Sequence, residues 1–362
     1  MQRLRFSFFV SISLAATFFS AGCSTPRGGR IGPRYLVQAA LGQLQISSLA
    51  RPISQVLSDG RLDSKTRQAL AAVSQIKSFG ESEGLKPTSS YQEYSDLKRS
   101  VVVWVATASE PLRFEAARWS FPIIGSFSYL GWFNRESGEG FRQSLESSGY
   151  DADLRPAQAY STLGWFRDPL LSTMIPAEDD FGSLVEVILH ESVHATLHLD
   201  NQSTLNESLA QFLGEKLAEK YLELGGPPAR VWLESYRESL RQENFRIDRM
   251  RSAYTELEVL YRSEKSESEK ISEKEKIFSK LRQDLKWPMT RLLNNATLIQ
   301  FATYQSSPKL FSELWDACGK SARKLIDAVR AWGETDSQVR SGKELSAPEL
   351  DALLSKMKTQ CH

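Results

Sequence analysis

The feature that most constrains the fold of this chain is an apolar segment, residues 181–199, that contains three histidines. Residues 181–199, FGSLVEVILHESVHATLHL, are apolar on almost every side of a helix, and acidic residues precede them at positions 178–180, as is usual at a helix N-terminus. Residues 186–197 contain neither proline nor glycine. This pattern predicts a helix buried in the protein core, with His190 and His194 four residues apart on one face.

The spacing of these histidines forms an H-E-x-x-H motif. His190 and His194 can direct two imidazoles at one metal ion, and Glu191 lies about 100° around the helix from His190, beside the ion rather than on it. A general base for metal-assisted hydrolysis is needed at that position. His198 is rotated away and is interpreted as a supporting or surface residue. The alternative is a pair of structural histidines flanking a buried glutamate.

A catalytic zinc ion needs three protein ligands and one open position, so a third ligand is expected nearby. Glu207, in the segment NESLAQF, lies on the following predicted helix, as in peptidases of the gluzincin type. Its alternative role is structural, because Thr204 and Glu207 fit a T-x-x-E capping box. Asp200 has the ten-residue offset from the first histidine that metzincins use, but Leu197 occupies the position of their glycine. Glu207 is therefore the predicted ligand.

The rest of the chain predicts an α+β, mainly α-helical fold. Apolar spacings of three and four indicate helices in residues 35–99, and residues 180–226 contain the metal-binding helices. Residues 100–179 are predicted to be strand-rich, forming a small sheet upstream of the site. Its predicted strands are Ser100–Ser109, Arg118–Phe133 and, as an edge strand because of Pro156, Tyr150–Thr162.

Residues 227–362 are predicted to be helical, with a charged helical hairpin at about 240–286. Apolar residues recur there at spacings of three and four within a strongly charged stretch: Ile247, Met250, Tyr254, Leu257 and Tyr261. Charged helical faces are usually just solvated. The hairpin is therefore interpreted as a solvated structural arm, with a partner-binding arm or a lid over the site as the alternatives.

Residues 1–22 have the layout of an export signal, with two arginines followed by an uncharged apolar stretch and small residues. The ending SAGC resembles a bacterial lipobox, which predicts a lipid anchor at Cys23 followed by a tether over 23–34. Ordinary cleavage near Gly22 is the alternative, because Ser20 stands where lipoboxes usually carry leucine. We expect a lipoprotein that faces the periplasm, tethered to the outer membrane. In that compartment Cys318 and Cys361 could form a disulfide or remain two thiols.

Composition excludes several classes of protein. The chain has 362 residues, of which 41% are hydrophobic and 25% charged, which is typical of a globular protein and not of a polytopic membrane protein or a disordered one. The formal net charge is only +1. No basic face is therefore expected to attract a phosphate backbone, and nucleic acid is not an expected partner.

Several segments resemble a family of bacterial proteins known as predicted aminopeptidases, which carry H-E-x-x-H followed by N-E-S-x-A. The similar segments are YLVQAALGQL, RWSFPIIGSFSYLGWF, AYSTLGWFRDPLLSTM, HESVHATLHLDNQSTLNESLAQFLGE and LLNNATLIQFATYQ. The resemblance implies a gluzincin-like metallopeptidase over residues 35–362. It assigns His190, His194 and Glu207 to zinc and Glu191 to catalysis. The departures are Ser192 and Val193, where Leu-Ala is frequent, and Gln305, where histidine is expected.

The expected activity is zinc-dependent peptide hydrolysis, most simply by an aminopeptidase acting on a peptide or protein. Tyr160 and Tyr304 are candidates to stabilise the oxyanion, although packed core tyrosines would explain both equally well. The segment RPAQAYSTLGWF is the candidate for a strand that pairs with the substrate backbone. A periplasmic zinc endopeptidase acting on envelope or exported proteins and a non-enzymatic zinc-binding scaffold lipoprotein are the alternatives.

Overall fold

The structure is a computed structural model that describes residues 32–60, 62–121, 125–159, 167–175, 180–299, 308–340, 345, 347–357 and 361. The chain divides into two compact units. Unit 1 comprises the described residues within Met1–Ala50, Tyr94–Met174 and Gln242–Ala302. Unit 2 draws on Arg51–Glu93, Ile175–Arg241 and Thr303–His362.

Helices dominate the described residues. The helices are α1 (Pro33–Ser48), α2 (Ile53–Ser58), α3 (Ser64–Ser82), α4 (Arg135–Ser147), α5 (Phe181–Thr196), α6 (Ser203–Leu224), α7 (Pro227–Arg262), α8 (Glu267–Asp284), α9 (Asn295–Leu298), α10 (Pro308–Ala317), α11 (Ala322–Thr335), α12 (Ser337–Arg340) and α13 (Ala347–Met357). The strands are β1 (Ala50–Pro52), β2 (Glu93–Ser95), β3 (Val103–Ser109), β4 (Trp119–Phe121), β5 (Gly125–Phe127), β6 (Tyr129–Trp132), β7 (Asp151–Ala157) and β8 (Leu170–Leu171). The predicted α+β, mainly helical fold is thus confirmed.

Unit 1 is built on an antiparallel sheet with the strand order β6-β3-β7. The central strand β3 is buried along almost its whole length, as its unbroken run of apolar and small residues requires. In β7, Pro156 pairs with Trp104 at the edge of the sheet, where a residue without an N–H is tolerated. The predicted edge strand is therefore present as far as Ala157. Two smaller pairings are parallel β2-β8 and antiparallel β4-β5.

One helix in the region predicted to be strand-rich was missed. Residues Arg135–Ser147 form α4, whose first turn is capped by the Asn134 side chain, which accepts a hydrogen bond of 2.8 Å from the Ser137 N–H. The helix packs closely on the sheet, since a Cβ at Gly138 would lie 3.1 Å from Leu154 and from Trp132. Two glycines and three serines lower the helix propensity of this segment, so packing on the sheet stabilises it more than its own sequence does.

The predicted charged hairpin is formed by the second part of α7 together with α8. Four of its apolar residues, Met250, Tyr254, Leu257 and Tyr261, are buried. The Tyr261 hydroxyl donates a hydrogen bond of 2.7 Å to Asn295 within unit 1. The inner face of the hairpin is therefore buried and its charged outer face is exposed, and the role of a solvated structural arm stays a prediction.

Unit 2 is mainly helical and contains α5 and α6, the two helices that carry the candidate site. The apolar pattern of α5 is explained by complete burial of Leu184, Val185, Ile188 and Leu189. At the C-terminal end of the chain, a disulfide joins Cys318, which follows α10, to Cys361. Among the helices of the described residues, none combines the length and apolar character needed to cross a membrane.

Candidate metal centre

Helix α5 brings the two motif histidines together on one buried face. The Nε2 atoms of His190 and His194 lie 3.0 Å apart, with the rings in an edge-to-face arrangement. Only 2% of the His190 side chain and 8% of the His194 side chain are exposed. Two buried imidazole nitrogens that converge on the same point can share one bound cation.

Helix α6 supplies the third group. Glu207 places Oε1 3.4 Å from His194 Nε2 and Oε2 3.7 Å from His190 Nε2. The turn between the two helices is fixed by Asn206, whose side chain accepts a hydrogen bond of 3.0 Å from the Leu199 N–H and donates one of 2.8 Å to the Leu199 carbonyl. The N-E pair of the sequence thus combines a residue that shapes the turn with the predicted ligand.

These three side chains fit a metal ion. Their ligand atoms all lie within 4.8 Å of one another. Ligands about 2.0–2.1 Å from a tetrahedral zinc ion lie about 3.3 Å from each other, which is close to the observed separations. The side chain of Glu207 is 45% exposed, in contrast to the buried imidazoles. The group therefore has one accessible side, as a catalytic ion with an open coordination position requires.

Electrostatics favour the ionised carboxylate of Glu207 and the neutral ring of His190, which are the forms that bind metal. Burial raises the pKa of Glu207, but hydrogen bonds with His190 and His194 outweigh this effect, so its net pKa is lowered. Burial also lowers the pKa of His190. For His194 burial again favours the neutral ring, but the hydrogen bond and charge of Glu207 raise its pKa overall. The negative charges that stabilise a proton on His194 would equally stabilise a metal cation that takes its place.

Glu191 lies next to this group without belonging to it. It follows His190 on α5 and is partly buried. Its negative charge is close enough to contribute to the raised pKa of His194. A carboxylate beside the metal ligands, and not among them, is what a general base for hydrolysis requires.

The other described residues that the sequence singled out are not part of this group. Helix α5 ends at Thr196, so His198 and Asp200 lie in the exposed turn and outside the group of metal ligands. Helix α6 begins at Ser203 with Gln202 as its N-cap, which places Thr204 inside the first turn rather than at the start of a capping box. Tyr160, Tyr304 and Cys23 are outside the described residues.

A polar cluster next to the group was missed from the sequence. Glu186 on α5 accepts hydrogen bonds from the Gln211 amide and the Tyr236 hydroxyl, each 2.9 Å long. Gln211 also donates to Glu215 at 2.6 Å. The one available signal was that Glu186 is the only charged residue in the apolar run 181–189. Burial, followed by the charge of Glu215, raises the pKa of Glu186.

A pH dependence of stability follows from Glu186. The folded protein keeps a proton that the unfolded chain releases above about pH 4.5, so wild-type stability falls as pH rises through the raised folded pKa. Glu186→Gln has no proton to lose. We expect it to gain about 1–2 kcal/mol in free energy of unfolding over wild type at pH 8, and much less at pH 4. Urea unfolding with chelator at both pH values measures this difference, and equal differences would contradict it.

The fold and the site define a mainly helical α+β protein with a three-residue candidate metal centre on a helix pair. A family model described as "Putative aminopeptidase" matches residues 34–343, and the chain belongs to this family. No curated protein and no solved structure matches the chain.

Proposed function

We propose that this protein is a zinc-dependent peptide hydrolase, and specifically an aminopeptidase of the gluzincin type. The observation that carries the proposal is the convergence of His190, His194 and Glu207, with Glu191 beside them. The arrangement of H-E-x-x-H on one helix and a glutamate ligand on the next supports the gluzincin assignment. The family description supports the aminopeptidase activity.

Each residue has a role in this mechanism. His190 and His194 would hold the ion through their Nε2 atoms, with the remaining ring proton of each on Nδ1. A zinc ion, when bound, supplies a Lewis acid that polarises the scissile carbonyl and acidifies water. Glu191 accepts the proton of the attacking water and returns it to the leaving amine. Tyr160 and Tyr304 remain the proposed donors to the oxyanion.

The proposal can be tested with the full chain, purified in detergent and loaded with zinc. It is incubated with a mixed pool of free peptides and with an N-acetylated copy of the pool, and the products are read by mass spectrometry. An aminopeptidase removes residues one at a time from the free N-termini and spares the acetylated copy. Internal cuts in both pools would make it an endopeptidase, and no cleavage in either would favour a scaffold lipoprotein.

We further propose that Cys23 is lipidated and holds the protein on the outer membrane, facing the periplasm. The Cys318–Cys361 disulfide supports an oxidising compartment of this kind. A peptide or protein from the same compartment would then be the substrate, and the outer face of the charged hairpin could bind a protein partner.

The lipid anchor makes a direct prediction. In a Gram-negative host, the wild type should sediment with membranes and incorporate labelled fatty acid. Cys23→Ser should incorporate no label and lose stable membrane attachment, because its acyl chains are missing. Cell fractionation with fatty-acid labelling measures both properties. Equal labelling of the two proteins would contradict the prediction.

A further inference from the structure

A buried network of hydrogen bonds links three helices one turn away from the candidate metal centre. Glu186 on α5 accepts from Gln211 on α6 and from Tyr236 on α7. We call Glu186, Gln211 and Tyr236 the helix brace. Glu186 is 7% exposed and Tyr236 is 1% exposed, so the bond between them is shielded from water, and the Glu186–Gln211 bond is partly shielded. In such surroundings a hydrogen bond is costly to break.

On both α5 and α6, the brace residue lies four residues from a candidate metal ligand. Glu186 precedes His190 by four residues on α5, and Gln211 follows Glu207 by four residues on α6. The contacts pair the two helices in antiparallel orientation, so the Glu186–Gln211 bond and the His190–Glu207 contact follow one another at a distance of about 6 Å along the helix axes. A shift of α6 along α5 would break the Glu186–Gln211 hydrogen bond and move Glu207 away from His190.

Close packing also leaves little room for α6 or Tyr236 to move relative to α5 at these contacts. A Cβ at Gly214 would lie 3.2 Å from the His190 Cβ and 3.3 Å from the Glu186 carbonyl oxygen, so the α6 backbone lies directly against α5. A Cβ at Gly182 would lie only 2.5 Å from the Tyr236 ring, which packs against the first turn of α5. Both glycines permit the helices to approach closely enough for the brace bonds to form.

Position 211 needs a side chain that can donate two hydrogen bonds. The amide nitrogen of Gln211 donates to Glu186 at 2.9 Å and to Glu215 at 2.6 Å, so both of its protons are used. A methionine has nearly the same shape but donates no hydrogen bond. At position 186, by contrast, a glutamine can still accept from Gln211 and can donate to the Tyr236 hydroxyl.

We propose that the helix brace positions Glu207 opposite His190 and His194, so that Glu186, Gln211 and Tyr236 are positioning residues for the metal centre. The inference rests on the proposed function, because it concerns the same zinc site. It assigns to three residues outside the H-E-x-x-H and N-E-S motifs a role in the geometry of the ligands.

The test compares zinc affinity and ligand geometry in matched variants of the full chain. Gln211→Met removes two hydrogen bonds of the network. Lys220→Met is the control, because it removes a contact of α6 with Glu83, 2.8 Å long, that lies thirteen residues beyond Glu207. Glu186→Gln is the conservative variant. Zinc affinity is measured by competition with a chromophoric chelator, and geometry by the visible spectrum of the cobalt-substituted protein.

We expect Gln211→Met to bind zinc about 10–100-fold more weakly than wild type, the usual cost of losing a residue that orients metal ligands. Its cobalt spectrum should also change. Lys220→Met should keep wild-type affinity and spectrum, and Glu186→Gln, which can retain both hydrogen bonds of the brace, should bind zinc more tightly than Gln211→Met. If Gln211→Met fails to fold, Tyr236→Phe removes one bond with little change of shape and should weaken zinc binding in the same direction.

Three outcomes would contradict the inference, and two of them leave the proposed function standing. If the wild type binds zinc and folded Gln211→Met and Tyr236→Phe match it in affinity and cobalt spectrum, the helix brace is wrong while the zinc site stands. If Lys220→Met weakens zinc binding as much as Gln211→Met, the effect is general loss of α6 stability and the brace is again wrong. If the wild type binds no zinc, the proposed function and the brace both fail.

Discussion

Glu191→Gln is expected to lower the turnover number for peptide cleavage by about 10²- to 10⁴-fold, the usual contribution of a positioned general base. The amide cannot accept the proton of the attacking water, so the chemical step slows. Zinc content should not change, because Glu191 lies beside the metal ligands and not among them. Steady-state kinetics and metal analysis of the same preparation measure both properties.

His198→Gln is the matched control for this experiment. His198 lies on the same sequence segment but in the exposed turn after α5, outside the group of metal ligands. We expect it to keep wild-type activity and zinc content. Full activity of Glu191→Gln would refute the assignment of the base. Loss of zinc from Glu191→Gln would show instead that this carboxylate acts as a ligand.

Glu207→Ala is expected to weaken zinc binding by more than about 100-fold, which exceeds the usual effect of losing a residue that only orients a ligand. The two imidazoles would remain as a pair, without the carboxylate that supplies the negative charge. Zinc should stabilise the wild type by about 2.7 kcal/mol when its free concentration is 100 times the Kd, and the variant much less. Chelator competition and unfolding with and without zinc measure these effects.

Asp200→Asn is the control for this second experiment, because Asp200 is the acidic residue that a different spacing of ligands would use. Asp200 lies in the exposed turn and outside the ligand group. The zinc affinity of Asp200→Asn should therefore equal that of the wild type. A large loss in Asp200→Asn with none in Glu207→Ala would reverse the assignment of the third ligand.

The sequence predicted the part of the site that local patterns encode. His190 and His194 are four residues apart on a helix whose apolar surroundings required burial, so their convergence follows from helix geometry alone. Glu207 could be predicted because only a short turn separates the two helices. The fold class followed similarly from periodicity, whereas α4 was missed because its glycines and serines give a weak helix signal.

The helix brace shows what local patterns do not encode. Gln211 and Tyr236 are separated from Glu186 by 25 and 50 residues. Both are ordinary helical residues in the sequence, and only the packing of α5 with α6 and α7 brings them together. The buried Glu186 was visible as a single charge in an apolar run, but its partners depend on tertiary contacts that the sequence alone does not give.

X-ray absorption at the zinc edge, on the full chain loaded with one equivalent of zinc, tests the central claim most directly. The account predicts one tightly bound zinc per chain with two imidazole nitrogens at about 2.0–2.1 Å and a carboxylate oxygen at about 2.0–2.2 Å. The imidazole signal should be lost in a variant with both His190 and His194 replaced by alanine. Sulfur ligands, or the same imidazole signal in that double variant, would contradict the account.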